Sequence, residues 1–454
     1  MAEIKNTNCR IDILSAAEHL SRAIQYKTIS YENTNKMDNL EFLKFRLFLE
    51  DTFPHVFKNL KIDIINKMSI LLKWEGIGQN AGAILLMAHM DVASVEAGTE
   101  NNWSYPPFSG KISKGYIWGR GALDMKSQLM GILEAIEELL KNNFTPQNTI
   151  YLAFGHDEEI GGSGGNAHIA DYLKEKGVTL SAVLDEGGFI LKNAVAGVTK
   201  PLAVIGIAEK GTTTLELTSF STGGHSSMPP RHTAIGKLAT AIYRLEKKQF
   251  RPKLDGAAKE FLNTIITQMP LIKRIVLKNT WLFKPLVLKI LTNSKTTNAL
   301  VRTTIAVTMI EGGIKENILP QKAKANINFR ILPGETITSI KEKVEKIIGC
   351  DGIEVKIKEN SFNPIEPSSS SSEEYRIISK VVKSVFKETI VAPYLTVGLT
   401  DSRYYKNIAS QIYRFCPIEM SIGDLNTIHG VNEKISIEAY EKLIKFFYLL
   451  IKEF

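Results

Sequence analysis

The chain has 454 residues, 44% hydrophobic and 23% charged, with a formal net charge of +8. That length exceeds one ordinary core and predicts two domains, and the composition is that of a globular protein. The lysines are spread along the chain and mixed with acids, with no Arg-rich block, so the excess charge does not predict a nucleic-acid binder.

In chain order, residues 12–50 predict two helices, the first with Ile13, Ala17, Leu20 and Ile24 on one side. Residues 82–88 predict a short buried strand. Leu129, Ile132, Leu133, Ile136, Leu139 and Leu140 recur at helical spacing, which predicts an amphipathic helix over 126–141. Strands at 148–154 and 182–184 and a helix at 166–176 continue an alternation expected of an α/β domain with a largely parallel sheet. After Pro201 the pattern changes. Strands at 203–207, 213–218, 303–309, 323–331 and 353–357 and helices at 233–247 and 336–348 predict a smaller α+β domain. A serine run, Pro367 to Ser372, precedes a helix at 373–387. The expected division is therefore 1–201 and 361–454 for an interrupted catalytic domain, and 202–360 for a lid or dimerisation-type domain with an apolar insertion at about 251–298.

The three cysteines, Cys9, Cys350 and Cys416, stand far apart and form no CxxC pair. They predict neither a disulfide framework nor a cysteine zinc site. The first residues, Met1 to Asn8, contain no apolar run, so no secretory signal is expected and the predicted location is cytoplasmic. The most apolar stretch, Leu271 to Leu291, is broken by Lys273, Arg274, Lys278, Lys284 and Lys289, and no stable membrane insertion is expected.

The chemistry gathers at strand ends. The first strand runs into His89-Met-Asp91, and in a strand residues i and i+2 point the same way, so the two side chains lie together. Asp124 stands just before the amphipathic helix. The next strands end in Gly155-His-Asp-Glu158-Glu159 and Asp185-Glu-Gly-Gly, and Thr427-Ile-His429-Gly-Val-Asn-Glu433 follows near the C-terminus. Ligands of open α/β sheets bind at the carboxyl ends of strands. Any one of these acids could be a helix cap, but capping does not explain acids or histidines on every strand end. Such a cluster repels itself unless cations fill it, and mixed His/carboxylate donors without cysteine suit catalytic zinc or a related divalent ion.

These stretches, with Gly119-Arg-Gly-Ala-Leu-Asp-Met-Lys126, Gly223-Gly-His-Ser-Ser227, Asn317-Ile-Leu-Pro320 and Thr400-Asp-Ser-Arg403, resemble the dizinc aminoacylase and carboxypeptidase family of metallopeptidases. The resemblance is to its carboxypeptidase S and N-fatty-acyl amino acid synthase/hydrolase branch. It implies two Zn2+ per subunit, with Co2+ or Mn2+ as substitutes. Asp124 would bridge them, His89 and Asp185 would complete one site, and Glu159 and His429 the other. Glu158 would be the general base and Asp91 the partner that orients His89. It further implies that His225 stabilises the oxyanion, often from the partner subunit of a homodimer, that Arg330 grips the substrate carboxylate, and that Asn317 assists.

The function expected is hydrolysis, or reversible synthesis, of the amide bond in N-acyl amino acids or short peptides with a free carboxylate. A strict dipeptide carboxypeptidase and a non-catalytic metal- or peptide-binding relative are the alternatives. In the insertion, residues such as Ile272, Val276, Trp281 and Leu286 either pack as ordinary helices that thicken the small domain or line an apolar channel toward the metals.

Overall fold

The computed structural model describes residues 10–78, 82–349 and 352–454. Cys9, Cys350 and the stretch from Met1 to Asn8 lie outside the described residues, and Cys416 is a buried free thiol.

The larger of the two main sheets has ten strands. Its middle is parallel: Ile150–Gly155, Ala83–His89, Leu180–Asp185 and Ala409–Arg414 lie side by side in that order. Such strands are covered on both faces, which is why they read as unbroken apolar runs. Antiparallel strands flank the middle, with Ser69–Trp74 and Lys61–Ile65 on one side and Leu202–Glu209 on the other. The helix Lys126–Lys141 packs against this sheet and against the C-terminal helix Ile437–Glu453, through Leu129, Ile132, Leu133, Ile136, Leu443 and Ile444. At their contact Gly131 permits close approach, because a Cβ there would fall 2.0 Å from Leu443.

The second sheet is antiparallel, in the order Thr304–Gly312, Lys322–Ile331, Gly211–Phe220, Ile353–Ile357. Residues of Lys322–Ile331 alternate strictly between buried and partly exposed, as expected of a sheet covered on one face. The helices Ala234–Lys247 and Ile337–Ile348 cover it, closing a separate core of Leu215, Leu238, Ile327, Phe329, Ile340 and Val344.

Two expectations need correction. Leu202–Glu209 belongs to the large sheet, where it pairs in parallel with Ile390–Thr396, so the crossing between the sheets falls at Lys210 and not at residue 201. Lys210 is buried and its ammonium donates to the carbonyls of Ala299 and Arg302 at 3.0 and 2.7 Å. Burial lowers its pKa to about 7. The apolar insertion does not thicken the small domain either. Leu254, Leu262, Ile265, Ile266, Val287 and Val301 join the core of the large sheet, with the helix Gly256–Ile266 against Ile390–Thr396.

Candidate metal centre

Five segments converge at the carboxyl ends of the parallel strands. His89 ends the first strand and is 1% exposed. Its Nε2 lies 3.1 Å from Asp124 Oδ1 and 3.6 Å from Glu186 Oε1. His429 Nε2 lies 3.0 Å from the other oxygen of Asp124 and 2.9 Å from Glu159 Oε2. Two groups result, His89–Asp124–Glu186 and Asp124–Glu159–His429, and within each the ligand atoms lie within 4.8 Å of one another. Asp124 belongs to both. The donor set of imidazoles and carboxylates, with no thiolate, fits a pair of zinc ions or similar divalent cations.

Charge at the centre points the same way. Burial, reinforced by Asp401, Glu159 and Asp124, pushes Glu158 well above the usual carboxylate range. Burial and the charges of Asp124, Glu158 and Asp185 do the same to Glu186. Burial opposes charge on His89, yet Glu186, Asp124 and Asp91 carry its pKa well above the usual value. Hydrogen bonds to Asp124 and Glu159 raise His429 to about 10. Burial and neighbouring carboxylates together make ionised acids costly at this site, and cations relieve that cost.

The surroundings brace each ligand. His89 Nδ1 donates to the backbone carbonyl of Asp91 at 2.9 Å, and the Asp91 carboxylate stands at 3.4 Å. That carboxylate mainly holds the acidic turn, accepting the backbone N–H groups of Glu158 and Glu159, both at 3.1 Å, and the Ser30 hydroxyl at 2.6 Å. Glu159 Oε1 accepts the N–H of Ala93 at 3.0 Å, leaving Oε2 to His429. Beneath Asp124, the buried Glu433 accepts the N–H groups of Gly121, Leu123 and Asp124 at 3.0, 2.8 and 3.1 Å and pairs with Arg120 at 2.6 Å. In the acidic turn Gly162 has φ +66°, and any Cβ there would strike the Asp401 carboxylate at 1.8 Å. Glu158 differs from its neighbours. Among the described residues its carboxylate makes no hydrogen bond or ion pair, although it feels the charges of His89 and Asp124.

The expected ligand Asp185 is not in the cluster. Successive residues of a strand face opposite ways, and Asp185 turns toward the backbone of Ser402, whose N–H it accepts at 2.8 Å. Its neighbour Glu186 faces His89 instead. The Asp-Glu pair contained that answer, but spacing alone did not choose between the two. Glu433 and Arg120 also went unassigned, although both lie within motifs singled out above.

His225 and Asn317 lie apart from these strands. Gly224–His225 pairs with Ile318–Leu319 in an exposed two-stranded ribbon, and Ser226 N–H donates to the Asn317 carbonyl at 3.2 Å. His225 bonds Ser227, with Nδ1 2.8 Å from its hydroxyl, and no member of the cluster. Arg330 sits near the end of Lys322–Ile331, feels the charges of Glu209 and Arg403, and keeps one buried guanidinium nitrogen without a partner.

The helices of the insertion enclose an apolar cavity of about 490 Å3, walled by Val195, Phe261, Leu262, Val276, Leu286 and Val287 among others. No ligand of the cluster lines it, so the alternative of an apolar channel toward the metals is not formed by this cavity. No helix among the described residues is long and apolar enough to cross a membrane.

The profile of peptidase family M20/M25/M40 matches residues 85–453. Probable carboxypeptidase S-like 2 of Dictyostelium discoideum is 39% identical over 97% of this chain and 85% of its own length. N-fatty-acyl-amino acid synthase/hydrolase PM20D1 of Xenopus tropicalis is 39% identical over 96% and 85%. Carboxypeptidase S of Saccharomyces cerevisiae is 32% identical over 96% and 83%. Among solved structures, an M20 family metallo-carboxypeptidase from Sulfolobus solfataricus superposes with a TM-score of 0.71 at 22% identity, covering 96% of this chain and 98% of that one. A family match across residues 85–453, with relatives of such identity along nearly the whole chain, makes this protein a member of peptidase family M20/M25/M40.

Proposed function

We propose that the protein hydrolyses the amide bond of N-acyl amino acids or short peptides that carry a free carboxylate. The observation that carries this reading is the pair of His/carboxylate groups sharing Asp124, with Glu158 unengaged beside them. Two divalent ions, zinc first and cobalt or manganese as substitutes, would be held by His89, Asp124 and Glu186 and by Asp124, Glu159 and His429, and would supply Lewis acidity and a more acidic water.

The protein's own residues do the remainder. Glu158 takes the proton of the attacking water and gives it to the leaving amine. Asp91 keeps Glu158 in place by holding its backbone N–H, and steadies His89 through its carbonyl. Arg330, with a guanidinium nitrogen lacking a partner, receives the substrate carboxylate as a planar fork. His225 serves the oxyanion from a second copy of the chain, with Asn317 beside it. The exposure of their ribbon, where Met228 and Ile314 project into solvent, supports that reading.

Relatives named for carboxypeptidase S activity and for N-fatty-acyl amino acid synthesis and hydrolysis support this substrate class. The test is kcat/KM of the zinc-loaded protein on acetyl, octanoyl and long-chain acyl derivatives of one amino acid, on their carboxamides and on dipeptides. Hydrolysis of acyl amino acids with rejection of the carboxamides is expected. Turnover of dipeptides alone would replace this reading with the strict carboxypeptidase, and no turnover with both metals bound would mark a non-catalytic relative.

A further inference from the structure

The insertion holds two consecutive helices, the amphipathic Leu271–Lys278 and the predominantly apolar Thr280–Thr292. Inward, Val276, Leu277 and Leu291 pack on the main core and wall the cavity, and Val287 is fully buried. Outward, Leu271, Ile275 and Leu282 are exposed and Trp281 is 80% exposed, while Ile272 and Ile290, also exposed, stand at the rim of the cavity. Trp281 combines a large apolar ring with one N–H donor, the combination favoured where an apolar phase meets water. A helix clothed in apolar residues all round is ordinarily covered on every side. Here the described chain covers only one.

Charge identifies what covers the other. From Phe261 to Ile310 there is no Asp or Glu, while seven Lys and Arg fall in the same fifty residues. Nearly the whole net charge of +8 therefore resides in this segment. Lys278, Lys284 and Lys289 are exposed on the two helices, between the apolar side chains. Aliphatic and indole groups interleaved with lysines suit an interfacial element that lies in the headgroup region of an anionic bilayer. Neither helix is long enough to cross one.

We propose that the helix pair Leu271–Thr292 docks the protein on anionic lipid surfaces, with Trp281, Leu282, Ile272 and Ile275 entering the acyl boundary and the lysines meeting the headgroups. Each lysine near such a surface strengthens binding about fivefold, and salt weakens the attraction.

The test is co-sedimentation of the full chain with phosphatidylcholine vesicles, with and without phosphatidylglycerol. Binding at least tenfold stronger to the phosphatidylglycerol vesicles, and falling as salt rises, is expected. Two variants separate the contributions: Trp281→Ser with Leu282→Ser, and Lys278→Glu with Lys284→Glu and Lys289→Glu. Each should lower binding tenfold or more with unchanged melting temperature and zinc content, since all five side chains face solvent. Absence of vesicle binding, or equal binding by wild type and both variants, would overturn the proposal. So would self-association of the wild type that Trp281→Ser abolishes without any lipid effect, because the face would then join two copies of the chain.

Discussion

The strand-end cluster and the exposed ribbon around His225 are built on opposite plans. At the cluster most ligands are gripped by the fold: Glu159 by Ala93, His89 by Asp91, and Asp124 by Glu433. At the ribbon the His225 imidazole bonds, among the described residues, only its neighbour Ser227, and both ribbon residues are exposed. Rigidity at each site therefore has a different source. A centre of mutually repelling charges needs rigid backbone donors from its own chain, whereas an imidazole on an exposed ribbon is left with few partners of its own.

The largest effect expected is from Asp124→Ala. A shared ligand serves both groups, so both metals and all turnover should be lost, as metal analysis and rate measured together would reveal. Glu186→Gln and Asp185→Asn then form a contrasting pair. The first should empty one metal position, while the second should keep both metals and destabilise the fold by about 1–3 kcal/mol through a weakened bond to the Ser402 N–H. Metal loss in Asp185→Asn with retention in Glu186→Gln would make Asp185, and not Glu186, the ligand.

Glu158→Gln should retain both metals and lose about 10²–10⁴-fold in kcat, the usual range for a general base. His225→Ala should lose about 10²–10³-fold in kcat with little change in KM, if it meets charge only in the transition state. Mixing the His225→Ala and Glu158→Gln proteins probes the comparison most directly. If the ribbon serves a second copy, mixed dimers combine an intact base with an intact histidine and activity reappears. Continued inactivity of the mixture, with dimers present by light scattering, would assign His225 to its own chain. Smallest of the set, Asp91→Asn should cost about 10–100-fold in activity or metal affinity, the range for groups that orient ligands.

Much of this was legible because a buried strand ending in an acid or histidine is a costly arrangement with few explanations. His89, Asp124, Glu159 and His429 stand together as the sequence pattern predicts. The pattern failed where it depended on a single residue of register, as at Asp185 and Glu186, since adjacent strand positions differ only in the face they occupy. It also failed where partners matter. Helical periodicity in 251–298 defines an apolar face but not the surface it meets, so it does not tell which core the insertion joins. The hairpin of Lys61–Ile65 and Ser69–Trp74 escaped notice because its turn uses Asn66 and Lys67, at φ 45° and 70°, where glycine usually signals such a bend.

The strand Ala409–Arg414 lies between Leu180–Asp185 and Leu202–Glu209, although 223 and 199 residues, respectively, lie between it and them in the chain. During synthesis the large sheet therefore waits, split at its middle with two open edges, until residue 414 has left the ribosome. His429 and Glu433 emerge later still. The strand-end cluster therefore stays incomplete, lacking His429 and the Glu433 that braces Asp124, until these residues have been made.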